Sequence, residues 1–302
     1  VPAVRAMADE GEAEVDLEEQ GLTEVPAEVL NNGVIESLVL DNNELTELPE
    51  ALGGLSTLRE LHARRNKLQK LPAAIGKLES LEGLFVSGNE LVELPGTISS
   101  CGALAGIDAN ENKLSMLPDG LCDCICLEGL YFDSNRLAEL PDRIGSLAAL
   151  EEMSLNHNAL NLLPPSIGDL AELKMLRLAH NNIAMLPSSI GGLTKLKGLF
   201  LDFNRLQRLP EEIGGLVSLE ELNLEDNALL KLPKSLSTGK LVSLKGLYLQ
   251  NNKLASLGFK PKLLPSLRKM SIAGNQMSCE VNEDLKRDMA EANITETQRQ
   301  DE

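Results

Sequence analysis

The stretch Leu173-Lys174-Met175-Leu176-Arg177-Leu178-Ala179-His180-Asn181-Asn182-Ile183 is followed by Leu186-Pro187 and then by Ile190-Gly191-Gly192-Leu193. Leucine, variable residue, leucine at 176 to 178 is the period-2 pattern of a short strand with one apolar face. The same phrase recurs along the chain. Asparagine falls at 43, 66, 89, 112, 135, 158, 181, 204, 227, 252 and 275, every 23 residues apart from one step of 25 before Asn252. Proline keeps the same beat from Pro26 to Pro233. Two independent markers sharing one period establish a repeat architecture. Counting back 23 from Asn43 reaches Gln20 in Val15-Asp16-Leu17-Glu18-Glu19-Gln20-Gly21-Leu22, a degenerate first unit, so twelve units are expected.

Each part of the unit has a physical task. One strand per repeat, all running the same way, stacks into a parallel sheet with alternate residues displayed outward. The asparagine amide carries donors and an acceptor, so at a buried turn it can bond backbone groups of neighbouring coils. Leu-Pro turns the chain onto the outer side, where a residue without an N–H is best tolerated. Ile-Gly-x-Leu returns as a helical or 3-10 segment. No unit buries its leucines alone, so each depends on its neighbours.

The run Leu71-Pro72-Ala73-Ala74-Ile75-Gly76-Lys77-Leu78-Glu79-Ser80-Leu81 resembles the repeat of the Ras-group intracellular leucine-rich repeat proteins and their plant relatives. The resemblance covers about residues 13 to 279. It implies an α/β solenoid, a leucine-rich repeat horseshoe with a parallel concave sheet, a helical or 3-10 convex side and about twelve repeats. It also implies a non-catalytic scaffold, with a small GTPase, a phosphatase or a multi-subunit complex as partner, and a cytoplasmic setting. The plant members carry a tryptophan-containing motif after the repeats, and this chain has no tryptophan. Residues 1–30 read as an acidic N-terminal cap with the degenerate first repeat, 31–279 as the repeats, and 280–302 as a capping helix and tail. Val281, Leu285, Met289 and Ile294 set the apolar face of that helix, and 295–302 read as frayed.

Composition narrows the function. The formal charge of −18, from 46 acids against 28 bases, disfavours nucleic acid, whose phosphates need a basic surface. Residues 1–50 hold 14 acids and one base, and 280–302 hold eight and three, so the intervening 229 residues are neutral. No run approaches the roughly 18 apolar residues of a membrane span. Cys101 and Cys124 replace the leucine of the Ile-Gly-x-Leu turn and read as core fillers. An odd cysteine count fits a reducing compartment. The start at Val1, with Arg5 and Met7 close by, also fits a plastid protein after removal of its targeting segment. No phosphate loop or catalytic constellation is present, and no cofactor, metal or small-molecule substrate is expected.

The outward positions hold the candidate site. Four residues before each asparagine stand Val39, His62, Phe85, Asp108, Tyr131, Ser154, Arg177, Phe200, Asn223, Tyr248 and Ser271. Immediately before it stand His157, His180 and Phe203 in consecutive repeats. Five of the seven aromatics and all three histidines thus face outward, against the usual preference of rings for burial. Glycine two residues before Phe85, Tyr131, Phe200 and Tyr248 gives each ring bare backbone to lie on. The expected protein-docking patch comprises Phe85, Tyr131, His157, Arg177, His180, Phe200, Phe203 and Tyr248, with Arg136 and Arg205 at its edge. The alternative is a structural subunit of a larger assembly, such as a plastid one, held by convex or terminal contacts. His157 and His180 are expected about 5 Å apart on adjacent strands, with no third metal ligand beside them.

Overall fold

The period of 23 becomes one coil of chain per repeat. A computed structural model describes residues 5–9 and 12–297, which form two units, one ending at Leu150 and the other beginning at Glu151. In the first unit the strands are β1 (Arg5–Asp9), β2 (Glu12–Asp16), β3 (Ser37–Val39), β4 (Glu60–His62), β5 (Gly83–Phe85), β6 (Gly106–Asp108) and β7 (Gly129–Tyr131). From β2 to β7 all pair in parallel, with Val15, Leu38, Leu61, Leu84, Ile107 and Leu130 in one row. The second unit contains β8 (Glu152–Ser154), β9 (Met175–Arg177), β10 (Gly198–Phe200), β11 (Glu221–Asn223), β12 (Gly246–Tyr248), β13 (Lys269–Ser271) and β14 (Thr295–Glu296). Here Met153, Leu176, Leu199, Leu222, Leu247 and Met270 share the row. Six coils per unit, β2 to β7 and β8 to β13, make the twelve counted from the asparagines.

Each coil is closed by its asparagine. Asn181 Nδ2 donates to Leu155 O (2.9 Å) in the preceding coil and to Leu178 O (3.1 Å) in its own, while its Oδ1 accepts from Leu160 N (3.0 Å). The pattern repeats at Asn43, Asn66, Asn89, Asn112, Asn135, Asn204, Asn227, Asn252 and Asn275. A side chain that joins two coils and satisfies buried backbone explains the strictness of the spacing. Gln20 shows why the first unit looks degenerate. Its longer side chain bonds Glu18 O, yet its backbone N–H still donates to Asn43 Oδ1 (3.1 Å).

The return segments are 3-10 turns such as Ser188–Gly192, started by Pro187 and closed by Leu193 N donating to Ile190 O (3.2 Å). In the first coil a short helix, α1 (Ala27–Leu30), takes this place. The glycines of the return are set by close approach. A Cβ on Gly191 would stand 2.4 Å from Glu212 O, and one on Gly215 would stand 2.6 Å from Gly191 O. The interior is almost wholly aliphatic. Phe132 is the one large ring fully buried among the described residues.

The last asparagine is followed by α2 (Cys279–Glu291), capped by the Ser278 hydroxyl accepting from Val281 N (3.3 Å). Leu285 and Met289 are buried and Val281 half-buried, as the spacing predicts. Ile294 is also buried but lies beyond the helix, where the chain turns back. It leads into β14, which pairs in parallel with β13 through Lys269↔Thr295 and Met270↔Glu296. The expectation of fraying from residue 295 is therefore corrected for Thr295 and Glu296, whose backbone finds partners on the sheet edge. Residues 298–302 lie outside the described residues. At the other end β1 pairs antiparallel with β2. Residues 1–4, 10 and 11 of the expected acidic cap also lie outside the described residues. No helix among the described residues is long and apolar enough to cross a membrane.

Candidate functional site

The residue before each asparagine adopts a left-handed backbone: φ is 53° at His157, 54° at His180, 53° at Phe203 and 49° at Asp226. Glycine tolerates this region, asparagine, aspartate and histidine are enriched in it, and a phenylalanine there is unusual. Other coils place Asn42, Gly88, Asn251 or Gly274 at this point, and equally Glu19, Arg65, Glu111 and Ser134. The rungs are tied coil to coil by backbone bonds, His157 N to Ala179 O (2.9 Å), His180 N to Asp202 O (3.0 Å) and Phe203 N to Glu225 O (3.0 Å). That register brings the side chains face to face. The His157 and His180 rings lie 4.2 Å apart at 12°, and the His180 and Phe203 rings 4.2 Å apart at 9°. All three are exposed, Phe203 at 43%.

Burial, then the neighbouring His157, holds the His180 imidazole below its ordinary pKa, with Asp202 and Asp226 acting in the opposite sense. His180 is accordingly neutral near pH 7. Parallel rings do not converge their nitrogens on one point. Among the described residues no group of three or more His, Cys, Asp or Glu is placed to hold a metal.

The second kind of displayed ring lies flat. A Cβ built on Gly198 would come within 2.8 Å of the Phe200 ring, and on Gly129, Gly83 and Gly246 within 3.0 Å of Tyr131, Phe85 and Tyr248 respectively. Each ring thus rests over the glycine two residues earlier and is half-buried. The outward column is not uniformly displayed, however. Ser154, Asn223 and Ser271 are 2%, 1% and 0% exposed. Their short side chains sink between longer neighbours and enter polar networks. Asn223 donates to Asp202 Oδ1 (2.9 Å), its own Oδ1 accepts from Glu225 N (3.1 Å), and Ser271 Oγ donates to Glu225 Oε1 (3.1 Å). Arg177 stands at the side of this region with Nη1 3.4 Å from Glu152 Oε2.

In the first unit the rings are engaged differently. Phe85 is stacked on His62 at 4.5 Å, and the Arg64 guanidinium lies 4.5 Å above its centroid. Arg64 is held by Asp41 Oδ2 (3.2 Å) and Asp108 Oδ2 (3.5 Å), and Ser87 Oγ donates to Asp108 (3.0 Å). His62 bonds Glu60 (3.0 Å). Asp41, Arg64, Ser87 and Asp108 line a cleft of about 390 Å³. Asp41, Arg64 and Ser87 are missing from the residues singled out by sequence. Reading the position two before each asparagine, where Asp41, Arg64, Asp202 and Glu225 fall, supplies the signal.

The cysteines behave as core. Cys101 and Cys124 are fully buried and their thiols donate to Ile75 O and Ile98 O, both at 3.3 Å. Burial pushes Cys101 up to about 11 and Cys124 up to about 12, so neither is a ready nucleophile. Arg136 and Arg205 are exposed, as expected of edge positions.

Strand, asparagine turn and 3-10 return, coil upon coil, define a leucine-rich repeat fold. Residues 141–284 match the leucine-rich repeat region family. Among solved structures, a leucine-rich repeat protein of Leptospira interrogans is similar at 29% identity, over 92% of this chain and 81% of that one, with a TM-score of 0.61. The plant peptide hormone receptor RGFR1, in complex with RGF2, is similar at 27% identity, over 83% of this chain and 46% of the receptor, with a TM-score of 0.73. This chain therefore spans less than half of that receptor. An internalin of Listeria monocytogenes, 18% identical over 96% of this chain and 87% of its own with a TM-score of 0.70, shows the fold alone. No curated protein matches the chain.

Proposed function

We infer that this chain is a non-catalytic interaction module that docks a partner protein on its displayed sheet face. The observation that carries this reading is the placement of rings. In a chain with seven aromatics, four rest on glycines of the sheet face and a fifth completes an exposed stack with two histidines. Aromatics and arginine are the residues in which interface hot spots are enriched. The docking residues are Phe85 and Tyr131 in the first unit, and His157, Arg177, His180, Phe200, Phe203 and Tyr248 in the second. The similar receptor with its bound RGF2 supports a protein or peptide as the class of partner. A small GTPase, a phosphatase or a larger complex belongs to that class.

Crosslinking during affinity purification of the endogenous chain tests it, because the partner and the face are identified together. Crosslinks from the ring positions and loss of capture on Phe200→Ala with Phe203→Ala are expected. Undiminished capture by that variant, with its fold intact, overturns the reading. Leu162 and Met185, exposed at 55% and 54% on the flank of consecutive coils, favour a second reading as a permanent subunit held by that flank. Crosslinks confined to Leu162 and Met185 support that alternative.

A further inference from the structure

The first unit contains a complete arrangement for a guanidinium, filled by the chain itself. Arg64 lies over the face of Phe85 and is bracketed by the carboxylates of Asp41 and Asp108. The second unit has the ring and the carboxylates without the arginine. Phe203 ends the stack, one face covered by His180. The next rung on its other side, about 4.8 Å along the sheet, is Asp226, whose N–H bonds Gln250 O (3.1 Å). Asp226 is shorter than a ring and leaves the outer part of the Phe203 face uncovered, in keeping with the 43% exposure. Asn251 Nδ2 donates to Asp226 Oδ1 (3.0 Å) and fixes that carboxylate, leaving its second oxygen for a ligand. Among the described residues no cation lies over Phe203.

Charge points the same way. Asp202 and Asp226 both lie close enough to act as negative charges on His180, the ring stacked on Phe203. A cation over a ring gains from the ring quadrupole, and a planar guanidinium stacks as well as pairing with a carboxylate.

We propose that the exposed face of Phe203, on the side of the Asp226 rung, is a docking site for an arginine side chain of the partner protein, the guanidinium stacking on the ring above the shorter Asp226 and pairing with its carboxylate. This rests on the reading of the sheet face as a docking surface. It specifies the partner: a segment presenting an exposed arginine, in the manner in which Arg64 serves Phe85 within the first unit. The exposed ring edges of His157 and His180 then lie alongside the flanking residues of that segment.

N-acetyl-arginine amide is the probe, titrated into the intact chain and followed through the ring NMR signals of Phe203 and His180. With seven aromatics and three histidines the spectrum is sparse. Saturable shifts at millimolar probe are expected, weakened about fivefold by Asp226→Asn, the scale of an exposed cation–π and ion pair. Phe203→Asn is expected to abolish them. Asparagine suits the left-handed backbone at both positions, so neither loss is attributable to unfolding. Equal shifts with N-acetyl-norleucine amide or N-acetyl-lysine amide overturn the proposal, as does an arginine response indifferent to Asp226→Asn. The two readings fail separately. Partner capture that depends on Phe200 and Phe203 but not on Asp226 leaves the docking surface standing and removes the arginine site.

Discussion

The two units build the same kind of core and two different faces. In both, a row of leucines and isoleucines lies under the sheet and a ladder of asparagines closes the coils. Above the sheet they diverge. The first unit engages Phe85 internally, against His62 and Arg64 of the preceding coil, with the arginine anchored by Asp41 and Asp108. The second displays His157, His180 and Phe203 to solvent. Core positions answer to packing with the neighbouring coil, which is the same everywhere. Outward positions answer to no such constraint, so their chemistry separates a settled face from an open one.

If the cores are equivalent, equal injuries to them should cost the same. Leu84→Ala and Leu199→Ala occupy matching places in the strand row and are both fully buried. Each is expected to lower stability by about 2–5 kcal/mol, with agreement between the two, in urea unfolding. A difference beyond about 2 kcal/mol breaks the equivalence. Asn181→Ala belongs beside them. It strands Leu160 N, while Leu155 O and Leu178 O keep the amides of Asn158 and Asn204, at an expected cost of about 1–3 kcal/mol.

The next largest effect separates the faces. Phe200→Ala with Phe203→Ala is expected to weaken partner binding on the order of 100-fold, from two hot-spot side chains. Phe85→Ala is expected to weaken it less than tenfold while destabilising the chain, because the ring it removes is packed against His62 and Arg64. Parallel binding isotherms and melting curves of the two variants decide this. Equal losses of binding make the faces alike and remove the distinction.

Acid provides a smaller test. The folded chain holds the His180 pKa below its ordinary value, so it takes up fewer protons than the unfolded chain as pH falls through the imidazole range. This contribution is unchanged above about pH 6.5. It destabilises progressively below that, until the lowered folded pKa is passed. His180 is exposed, so the effect is modest. A melting temperature that drops between pH 7.5 and 5.5, by more in the parent than in His180→Asn, is the expected result. Arginine binding at Phe203 is expected to fall over the same range, since an imidazolium at His180 in the stack repels the ligand.

The fold was legible because its signals are redundant. Asn43 to Asn275 and Pro26 to Pro233 mark one period independently, and the strand row at Leu61, Leu84 and Leu130 follows from alternation. Even the disguised first coil was recoverable, since Val15 and Leu17 keep their places while Gln20 departs. The ring placement was readable for the same reason. Fixed positions in a repeat convert sequence into a surface map, which located both the glycine-seated rings and the stack. Engagement between columns was not readable. That Arg64 reaches across to Phe85 and Asp108, or that Asn223 and Ser271 sink beneath their neighbours, depends on side-chain length and rotamer. A period cannot encode those. The partner of Thr295 on β13 was equally hidden, because two residues after a helix carry no strand pattern of their own.

The sharpest use of the comparison is to convert one face into the other. If Arg64 fills in the first unit what a partner's arginine fills in the second, then Arg64→Ala vacates a slot built from Phe85, Asp41 and Asp108. The variant is expected to bind N-acetyl-arginine amide weakly, in the millimolar range of an isolated cation–π and ion-pair contact. The binding should show as new shifts of the Phe85 ring and His62 signals that the parent lacks. It should also regain part of whatever thermal stability the substitution removes, because the ligand binds the folded state alone. Two carboxylates flank this slot and one fixed carboxylate serves the other site, so the vacated site should bind at least as tightly as the Phe203 site. An Arg64→Ala chain that ignores the probe while Phe203 responds removes the analogy and leaves the Phe203 site to stand on its own geometry. If both respond, one chemistry serves internal closure in one unit and recognition in the other.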